Sequence, residues 1–309
     1  MKKLFLLLLA LTLLPALVYC ASDAGALENF ERFSQERALI REAEQKIDAG
    51  EFADAGKLYG LAAKDQREPA RAAGLYYQQA QCYLKGKKVH KAREVYLKLL
   101  NSYLFYVPVE EVVEQLRELA DLFWRGEGTL LGISDPDAAI DLYRVIIKYQ
   151  PSIALSLNDR LVLAQKLEER DHYEDAVATC QETIKLAPEN ADVRLQLGKL
   201  LAFLAKRGDG DGQRIRSAAR EATSFLTLAS EDDPRRAEAE EIIKLGKQMG
   251  AERLMERAEF YLNKYHYRPA VARRYLHDII RDYPESTVVT KANELLERLA
   301  TVKDGEDNK

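Results

Sequence analysis

The fold is decided by the stretch AQCYLKGKKVHKAREVYLKL, residues 80–99. Its two small residues, Ala80 and Ala92, stand twelve residues apart on either side of a turn. Tyr96 and Leu99 follow Ala92 by four and seven residues, a spacing that places them on one face of a second helix. Antiparallel helices that pack about 8–10 Å apart need small residues where their backbones approach. The stretch therefore predicts a helix–turn–helix hairpin.

The same spacing of small residues recurs along the 309-residue chain. Three further alanine pairs are also twelve residues apart, namely Ala43 and Ala55, Ala164 and Ala176, and Ala258 and Ala270. Two more pairs align once insertions are allowed, namely Ala120 with Ala139 and Gly198 with Ala222. One hairpin cannot bury its apolar face alone, so hairpins of this kind stack into an array.

The two insertions are glycine-rich. Residues Gly126–Gly132 account for about seven extra residues and Gly208–Gly212 mark about twelve, and we interpret both as loops. Each is followed by an Asp-Pro pair, Asp135-Pro136 and Asp233-Pro234. Such a pair predicts that a helix restarts there, with Asp as its N-cap and Pro at its first helical position.

These patterns predict an all-α fold, a solenoid of about six helical hairpins closed by a C-terminal capping helix at residues 286–300. The predicted repeats are residues 28–68, 69–105, 108–151, 152–189, 190–233 and 234–284. We group repeats 1–4 as an N-terminal part, residues 28–189, and repeats 5–6 with the capping helix as a C-terminal part, residues 190–300. The polar residues 301–309 are expected to form a disordered tail.

The first twenty residues have the pattern of a signal peptide. Lys2 and Lys3 precede an apolar run of about eleven residues, too short to span a bilayer of about 30 Å but suited to secretion. Residues 17–20, Leu-Val-Tyr-Cys, resemble a bacterial lipobox, which makes Cys20 the predicted lipid attachment site. One alternative is a small-x-small site at residues 24–26, whose use would give a soluble periplasmic protein, and the other is an uncleaved segment that acts as an anchor. Either site predicts a protein of the bacterial cell envelope.

The sequence lacks the patterns of most chemical sites. The formal net charge is -4, and nothing in the sequence suggests a nucleic-acid partner, which would need a basic face. The four histidines are scattered, with no zinc-binding His-Glu-x-x-His or Cys-x-x-Cys spacing, and no phosphate loop is present. We therefore predict no metal, no cofactor, no catalytic residue and no enzyme activity. Cys82 and Cys180 lie in helical patterns and are predicted to be buried as small apolar residues.

The hairpins resemble the tetratricopeptide repeat, a unit of about 34 residues with small residues at these two positions and proline at its end. Prolines stand at the expected ends, at Pro151, Pro188, Pro234 and Pro284. Residues 148–152 and 282–286 are near-copies of one end motif.

The C-terminal region has a more specific resemblance. Residues 235–298 combine a helix ending in Ala258-x-x-Tyr261, a short turn, an alanine-containing helix and the motif Tyr283-Pro284-Glu285-Ser286. This pattern is similar to the last repeats of the BamD-type outer-membrane assembly lipoproteins. The resemblance implies a lipid-anchored scaffold on the outer membrane, facing the periplasm. Its implied partners are a BamA-type barrel assembly protein and unfolded outer-membrane proteins. The alternatives are another periplasmic scaffold, serving pilus assembly, secretion or peptidoglycan and division coordination, and a small-molecule or polymer-binding enzyme accessory.

In tetratricopeptide arrays the first helix of each hairpin lines a concave groove. Counting from the small residues selects candidate groove side chains that mix aromatic rings, guanidinium groups and amides. They are Arg37, Tyr77, Gln81, Lys85, Arg117, Trp124, Arg125, Asn158 and Gln165. Tyr77 and Trp124 fit core positions equally well. Tyr261 and Arg274 in the last repeat are the candidates for C-terminal docking.

Overall fold

The computed structural model describes residues 30–150, 153–208 and 212–301, and their regular structure is helical throughout. The predicted signal peptide with Cys20, residues 209–211 of the second insertion and residues 302–309 of the tail lie outside the described residues. Thr301, predicted to begin the tail, still belongs to the last helix.

Thirteen α-helices make up the described ranges, which contain no β-strand, so the all-α prediction is confirmed. They are residues 30–48 (α1), Phe52–Lys64 (α2), Pro69–Lys85 (α3), Val89–Ser102 (α4), Val109–Arg125 (α5), Pro136–Tyr149 (α6), Ile153–Glu169 (α7), Tyr173–Leu186 (α8), Ala191–Arg207 (α9), Gln213–Leu228 (α10), Arg236–Leu262 (α11), Pro269–Asp282 (α12) and Val289–Thr301 (α13). Short 3₁₀ helices occupy Leu104–Tyr106 and Leu130–Gly132.

The first compact unit ends at Gln150 and contains three hairpins, α1–α2, α3–α4 and α5–α6. The predicted small residues are fully buried where the helices of each hairpin meet, at Ala43, Ala55, Ala80, Ala92, Ala120 and Ala139. Gly56 has the same role between α2 and α3, because a side chain there would lie 2.8 Å from the ring of Tyr83. The first unit thus consists of three tetratricopeptide-like hairpins, as the small-residue spacing predicts.

The second compact unit contains the hairpins α7–α8, α9–α10 and α11–α12, followed by α13. Ala164 and Ala176 are fully buried in the first of these hairpins. At the end of the unit, α13 closes one apolar cluster with α11 and α12, formed by Ala251, Met255, Ala258, Leu276, Ile279, Ala292 and Leu299. The chain divides after the third hairpin, whereas our grouping from the sequence divided it after the fourth.

The sixth hairpin differs from the predicted spacing. Ala270 is exposed, and the fully buried partner of Ala258 is Ala272. The cause is the turn, which covers residues 263–268 where the simple hairpins use three residues. Pro269 begins α12, because proline suits the first helical position, where no N–H is needed. The backbone N–H of Arg268 closes the longer turn on the carbonyl of Tyr261 at 2.8 Å.

Only one of the two Asp-Pro pairs caps a helix. The carboxylate of Asp135 accepts the backbone N–H of Ala138 at 3.0 Å, which confirms its role as N-cap of α6. The prediction for Asp233 is wrong, since α11 begins two residues later than expected, at Arg236. Asp233 instead accepts the side chain and backbone of Arg235, which lowers the pKa of Asp233 to about 2. Its carboxylate therefore fixes the turn before the helix.

The second insertion is mostly helical. Gly198 approaches α10 closely, since a side chain there would lie 3.4 Å from the carbonyl oxygen of Ala218. Beyond this contact α9 continues to Arg207, and α10 already begins at Gln213, well before Ala222. Most of the extra residues thus lengthen the two helices, and the interpretation as a loop is wrong for them.

Both described cysteines are buried, as predicted. Cys82 and Cys180 are free thiols, which excludes a bridge between them. Burial raises the pKa of the Cys180 thiol to about 12 and also raises the pKa of Cys82. Both thiols therefore stay protonated at neutral pH and are poor nucleophiles.

Candidate functional site

The predicted groove residues of the first unit lie on the first helices of its hairpins. Tyr77, on α3, is half-buried, and its hydroxyl donates to the carboxylate of Glu111, on α5, at 2.8 Å. Burial, assisted by this hydrogen bond, raises the pKa of Tyr77 to about 12. Trp124 is also half-buried. Both rings therefore lie at the boundary between core and surface.

The three arginine candidates of the first unit already have intramolecular partners. Arg117 pairs with Glu114 at 2.6 Å and Arg125 with Glu127 at 3.0 Å. The guanidinium of Arg37 lies 5.6 Å from the ring centroid of Phe33. Any ligand that binds these arginines must compete with such contacts. Gln81 is half-buried and Lys85 exposed on α3, and in the second unit Asn158 and Gln165 are exposed on α7.

Of the two C-terminal candidates, Tyr261 belongs to an aromatic cluster at the turn between α11 and α12. The half-buried ring of Tyr261 stacks on Tyr275 with centroids 6.1 Å apart, and it meets Phe260 edge-on at 5.2 Å. Phe260 in turn stacks on His266 at 4.2 Å. Arg274 is exposed on α12. The binding roles of all these candidates remain predictions.

The second unit contains a groove that the sequence analysis missed. It has a volume of about 640 Å³ and lies between α9, α11 and the turn that joins α12 to α13. Its floor is apolar, formed by Ala202, Phe203, Ile242, Leu245 and Tyr283. We call it the C-terminal groove. Because α9 and α11 are the first helices of their hairpins, this is the face on which repeat arrays present binding surfaces.

The C-terminal groove is held rigid by contacts between its walls. The amide oxygen of Gln248, on α11, accepts the hydroxyl of Ser286 at 2.9 Å and the backbone N–H of Thr287 at 3.0 Å. The ring of Tyr283 packs against Gly250, where a side chain would lie 3.0 Å from the phenol oxygen. The turn is therefore fixed to α11, and the groove is preformed.

Lysines dominate one rim of the C-terminal groove, at Lys199, Lys206, Lys244 and Lys247. Lys199 reaches Glu238 at 3.0 Å and Lys244 reaches Glu241 at 3.9 Å. Within the described ranges, the other two make no ion pair. On the opposite wall, Asp282 is engaged by Arg281 at 2.7 Å, which lowers the pKa of that carboxyl. The rim of α9 and α11 thus offers cationic donors beside an apolar floor.

Two of the groove residues could have been found by the counting that selected the other candidates. Gln81 and Gln165 follow their small residue by one position, and the equivalent position after Gly198 is Lys199. Lys85 and Arg125 follow by five positions, and the equivalent residue is Phe203. The wall made by Tyr283 and Ser286 has no such signal, because it depends on a tertiary contact with α11.

The described part of the chain contains neither a metal-binding cluster nor a membrane-spanning helix. Its His, Cys, Asp and Glu side chains form no group of three that could hold a metal ion. None of its helices is both long enough and apolar enough to cross a bilayer.

Comparison with known families identifies a tetratricopeptide repeat at residues 75–103, which covers most of the α3–α4 hairpin. No curated protein matches the sequence. Among solved structures, the chain is similar to PilF of Pseudomonas aeruginosa, with 13% identity, coverage of 87% of this chain and 99% of that one, and a TM-score of 0.31. It is also similar to the TPR2AB domain of yeast Sti1 in a complex with pHSP90, with 12% identity, coverage of 86% and 99%, and a TM-score of 0.28. At these low TM-scores we argue no function from either likeness. The repeat and the observed hairpins define each compact unit as a set of stacked tetratricopeptide-like helical hairpins.

Proposed function

We propose that this protein is a non-catalytic scaffold of the bacterial cell envelope that holds a segment of a partner protein in its C-terminal groove. The observation that carries the proposal is the groove itself, a preformed apolar trough between two first helices with lysines along its rim. Apolar side chains of a bound segment would be buried against Phe203, Ile242 and Leu245. The lysine side chains would pair with carboxylates or backbone carbonyls of the same segment.

The more specific proposal is a BamD-like role in the assembly of outer-membrane β-barrel proteins. The resemblance to that family is strongest in residues 235–298, which include α11, α12, α13 and the turn that forms one groove wall. The motif Tyr283-Pro284-Glu285-Ser286, which is part of that resemblance, forms one wall of the groove, whereas the α9 wall lies outside residues 235–298. In this role the groove receives a BamA-type barrel protein or its unfolded substrates, at the periplasmic face of the outer membrane.

Charge reversal in the groove tests the proposal. We expect Lys244→Glu with Lys247→Glu to reduce partner capture at least about tenfold, because a rim that attracted carboxylates would repel them. Capture is measured by crosslinking the full-length protein in membranes, followed by mass spectrometry of what it retains. The matched control is Arg257→Glu with Lys264→Glu, which reverses two exposed charges on and next to α11 outside the groove. Thermal unfolding should be nearly the same for both pairs of substitutions.

The identity of the captured protein separates the possible roles. A barrel protein with soluble amino-terminal domains would support the BamD-like role, whereas pilus or division proteins would contradict it and favour another envelope scaffold. Unchanged capture by the lysine variant contradicts the groove as the binding site. If Arg117→Glu with Arg125→Glu abolishes capture instead, the partner binds the first unit.

The proposed anchor gives a second expected result. Multiple acyl chains each add about 0.8 kcal/mol per buried methylene and hold a protein firmly in a bilayer. At high salt, which weakens electrostatic attraction to anionic lipid, Cys20→Ala should therefore move the protein from the membrane pellet to the soluble envelope fraction, as measured by fractionation. Continued pelleting of a correctly processed variant would show that lipid on Cys20 is not what holds it.

A further inference from the structure

The loop between α5 and α6, residues 126–135, presents unusual apolar surface to solvent. Leu130 is 80% exposed, Leu131 86% and Ile133 63%. Side chains so exposed contribute almost no burial of apolar surface to the stability of the fold. Three of them lie within four residues and form what we call the aliphatic tip of the loop. Apolar surface concentrated in this way marks a place where something else binds.

The 126–135 loop has a fixed shape. The hydroxyl of Thr129 lies within hydrogen-bond distance of the carbonyl oxygens of Gly126, at 2.7 Å, and Ile133, at 2.6 Å. The backbone N–H of Asp135 donates to the carbonyl of Phe123 at 2.9 Å. Leu131 has a φ of 59°, a left-handed conformation that is unfavourable for leucine. The exposed position of the aliphatic tip therefore requires an unfavourable backbone conformation at Leu131, and such conformations are typical of functional positions.

The base of this loop packs on a lysine-rich segment at the turn between α3 and α4. Gly128 packs so closely on the turn between α3 and α4 that a side chain there would overlap the carbonyl oxygen of Lys87. Glu127 accepts Lys87 at 2.9 Å and Arg125 at 3.0 Å, so this carboxylate is shared by two cations. Lys85 and Lys88, beside Lys87 in sequence, are exposed and form no ion pair with any described residue. Positive charge is therefore in excess along the segment 85–88, which the base of the loop contacts at Lys87.

We propose that the 126–135 loop is a membrane-insertion site for bilayers that contain anionic phospholipid. Leu130, Leu131 and Ile133 enter the boundary between headgroups and acyl chains, while Lys85 and Lys88 contact anionic headgroups. A convex aliphatic tip fits a deformable bilayer surface without a matching pocket, and lysines near an anionic leaflet add attraction that salt weakens. The site is independent of the C-terminal groove and of lipid on Cys20.

Vesicle binding tests this inference. The chain from Ala21 keeps every described residue and lacks the acylation site. We expect it to sediment with vesicles of phosphatidylglycerol and phosphatidylethanolamine, but not with phosphatidylcholine alone. Leu130→Ser with Leu131→Asn should weaken this binding about tenfold or more, because two leucine side chains are no longer transferred from water into the bilayer. Asparagine is used at position 131 because it tolerates the left-handed conformation. Lys85→Gln with Lys88→Gln should weaken it too, and should reduce its salt dependence. The single tryptophan, Trp124, lies just before the loop and reports insertion through a shift of its fluorescence.

The matched control is Phe105→Ser with Tyr106→Ser, which removes a second exposed apolar pair from the same unit. This control should bind vesicles as the unchanged chain does. The inference is overturned if the unchanged chain ignores anionic vesicles, or if the loop and control variants lose binding equally. It is also overturned if the leucine substitutions leave vesicle binding intact and alter self-association in analytical ultracentrifugation, since the tip would then contact a second copy.

Discussion

Phe225→Ala is expected to lower the free energy of unfolding by about 3–5 kcal/mol, the usual cost of removing a large aromatic side chain from a packed core. Phe225, on α10, is fully buried in the hairpin with α9, and the Arg235 guanidinium lies 5.5 Å from its ring centroid. The substitution leaves a cavity. The backbones of α9 and α10 are already in contact at Gly198, so they have little freedom to move together and fill it. Urea denaturation followed by far-UV circular dichroism measures the difference.

The same substitution at Phe105 is the control for this expectation. Phe105 is 95% exposed, so Phe105→Ala should change stability by no more than about 0.5 kcal/mol. Equal losses at the two positions would mean that the α9–α10 interface is not the packed core described above.

Breaking the buried ion pair of the same hairpin should cost nearly as much. Arg194, on α9, contacts the carboxylate of Glu221, on α10, at 2.7 Å, with exposed side-chain fractions of 18% and 10%. Arg194→Met leaves a largely buried carboxylate without its main partner, which should lower the free energy of unfolding by about 2–3 kcal/mol. The loss stays below that of a fully buried pair because some solvent reaches Arg194, and because Arg220 still approaches Glu221 at 3.5 Å.

A second substitution distinguishes the cost of the unpaired charge from the loss of packing. Arg194→Met combined with Glu221→Leu should recover most of the stability, since no buried charge then remains. Lys199→Met breaks an exposed pair with Glu238 and should cost less than about 1 kcal/mol. If the combined variant is no more stable than Arg194→Met alone, the main role of Arg194 is its 2.8 Å contact with the carbonyl of Pro188.

The hairpins were predictable because close helix packing leaves a simple trace in the sequence. Ala80 and Ala92 are small because backbones meet there, and no alternative local structure requires that spacing. The sixth hairpin shows the limit of this argument. The alanine spacing predicts Ala270, whereas Pro269 favours a later helix start, and the residue buried against α11 is Ala272. The second insertion shows another limit, because the number of extra residues does not reveal whether they extend helices or form a loop.

The residues of the C-terminal groove were predictable only where they occupy positions that recur in each hairpin. Lys199 and Phe203 occupy positions equivalent to those counted in other hairpins. The opposite wall depends on Gln248 holding the turn at Ser286, a contact between residues far apart in the sequence that no local pattern indicates. The sequence revealed the 126–135 loop only as an insertion. Its leucine and isoleucine side chains would be expected in a core, and only the structure shows that they are exposed.

The length of α11 bears on how the end of the array comes apart. In a simple repeat protein each hairpin contacts only its neighbours, so the terminal unit can melt by itself. Here one helix of 27 residues, about 40 Å long, packs on α10 near Gly246 and on α12 and α13 from Ala251 onward. Detaching the last hairpin means interrupting that helix, and its weakest stretch runs from Gly246 to Gly250, where two residues of low helical propensity stand a turn apart. Gly246 and Gly250, which allow Ala219 and Tyr283 to pack closely on α11, are therefore also the positions at which the terminal hairpin can separate from the rest of the second unit.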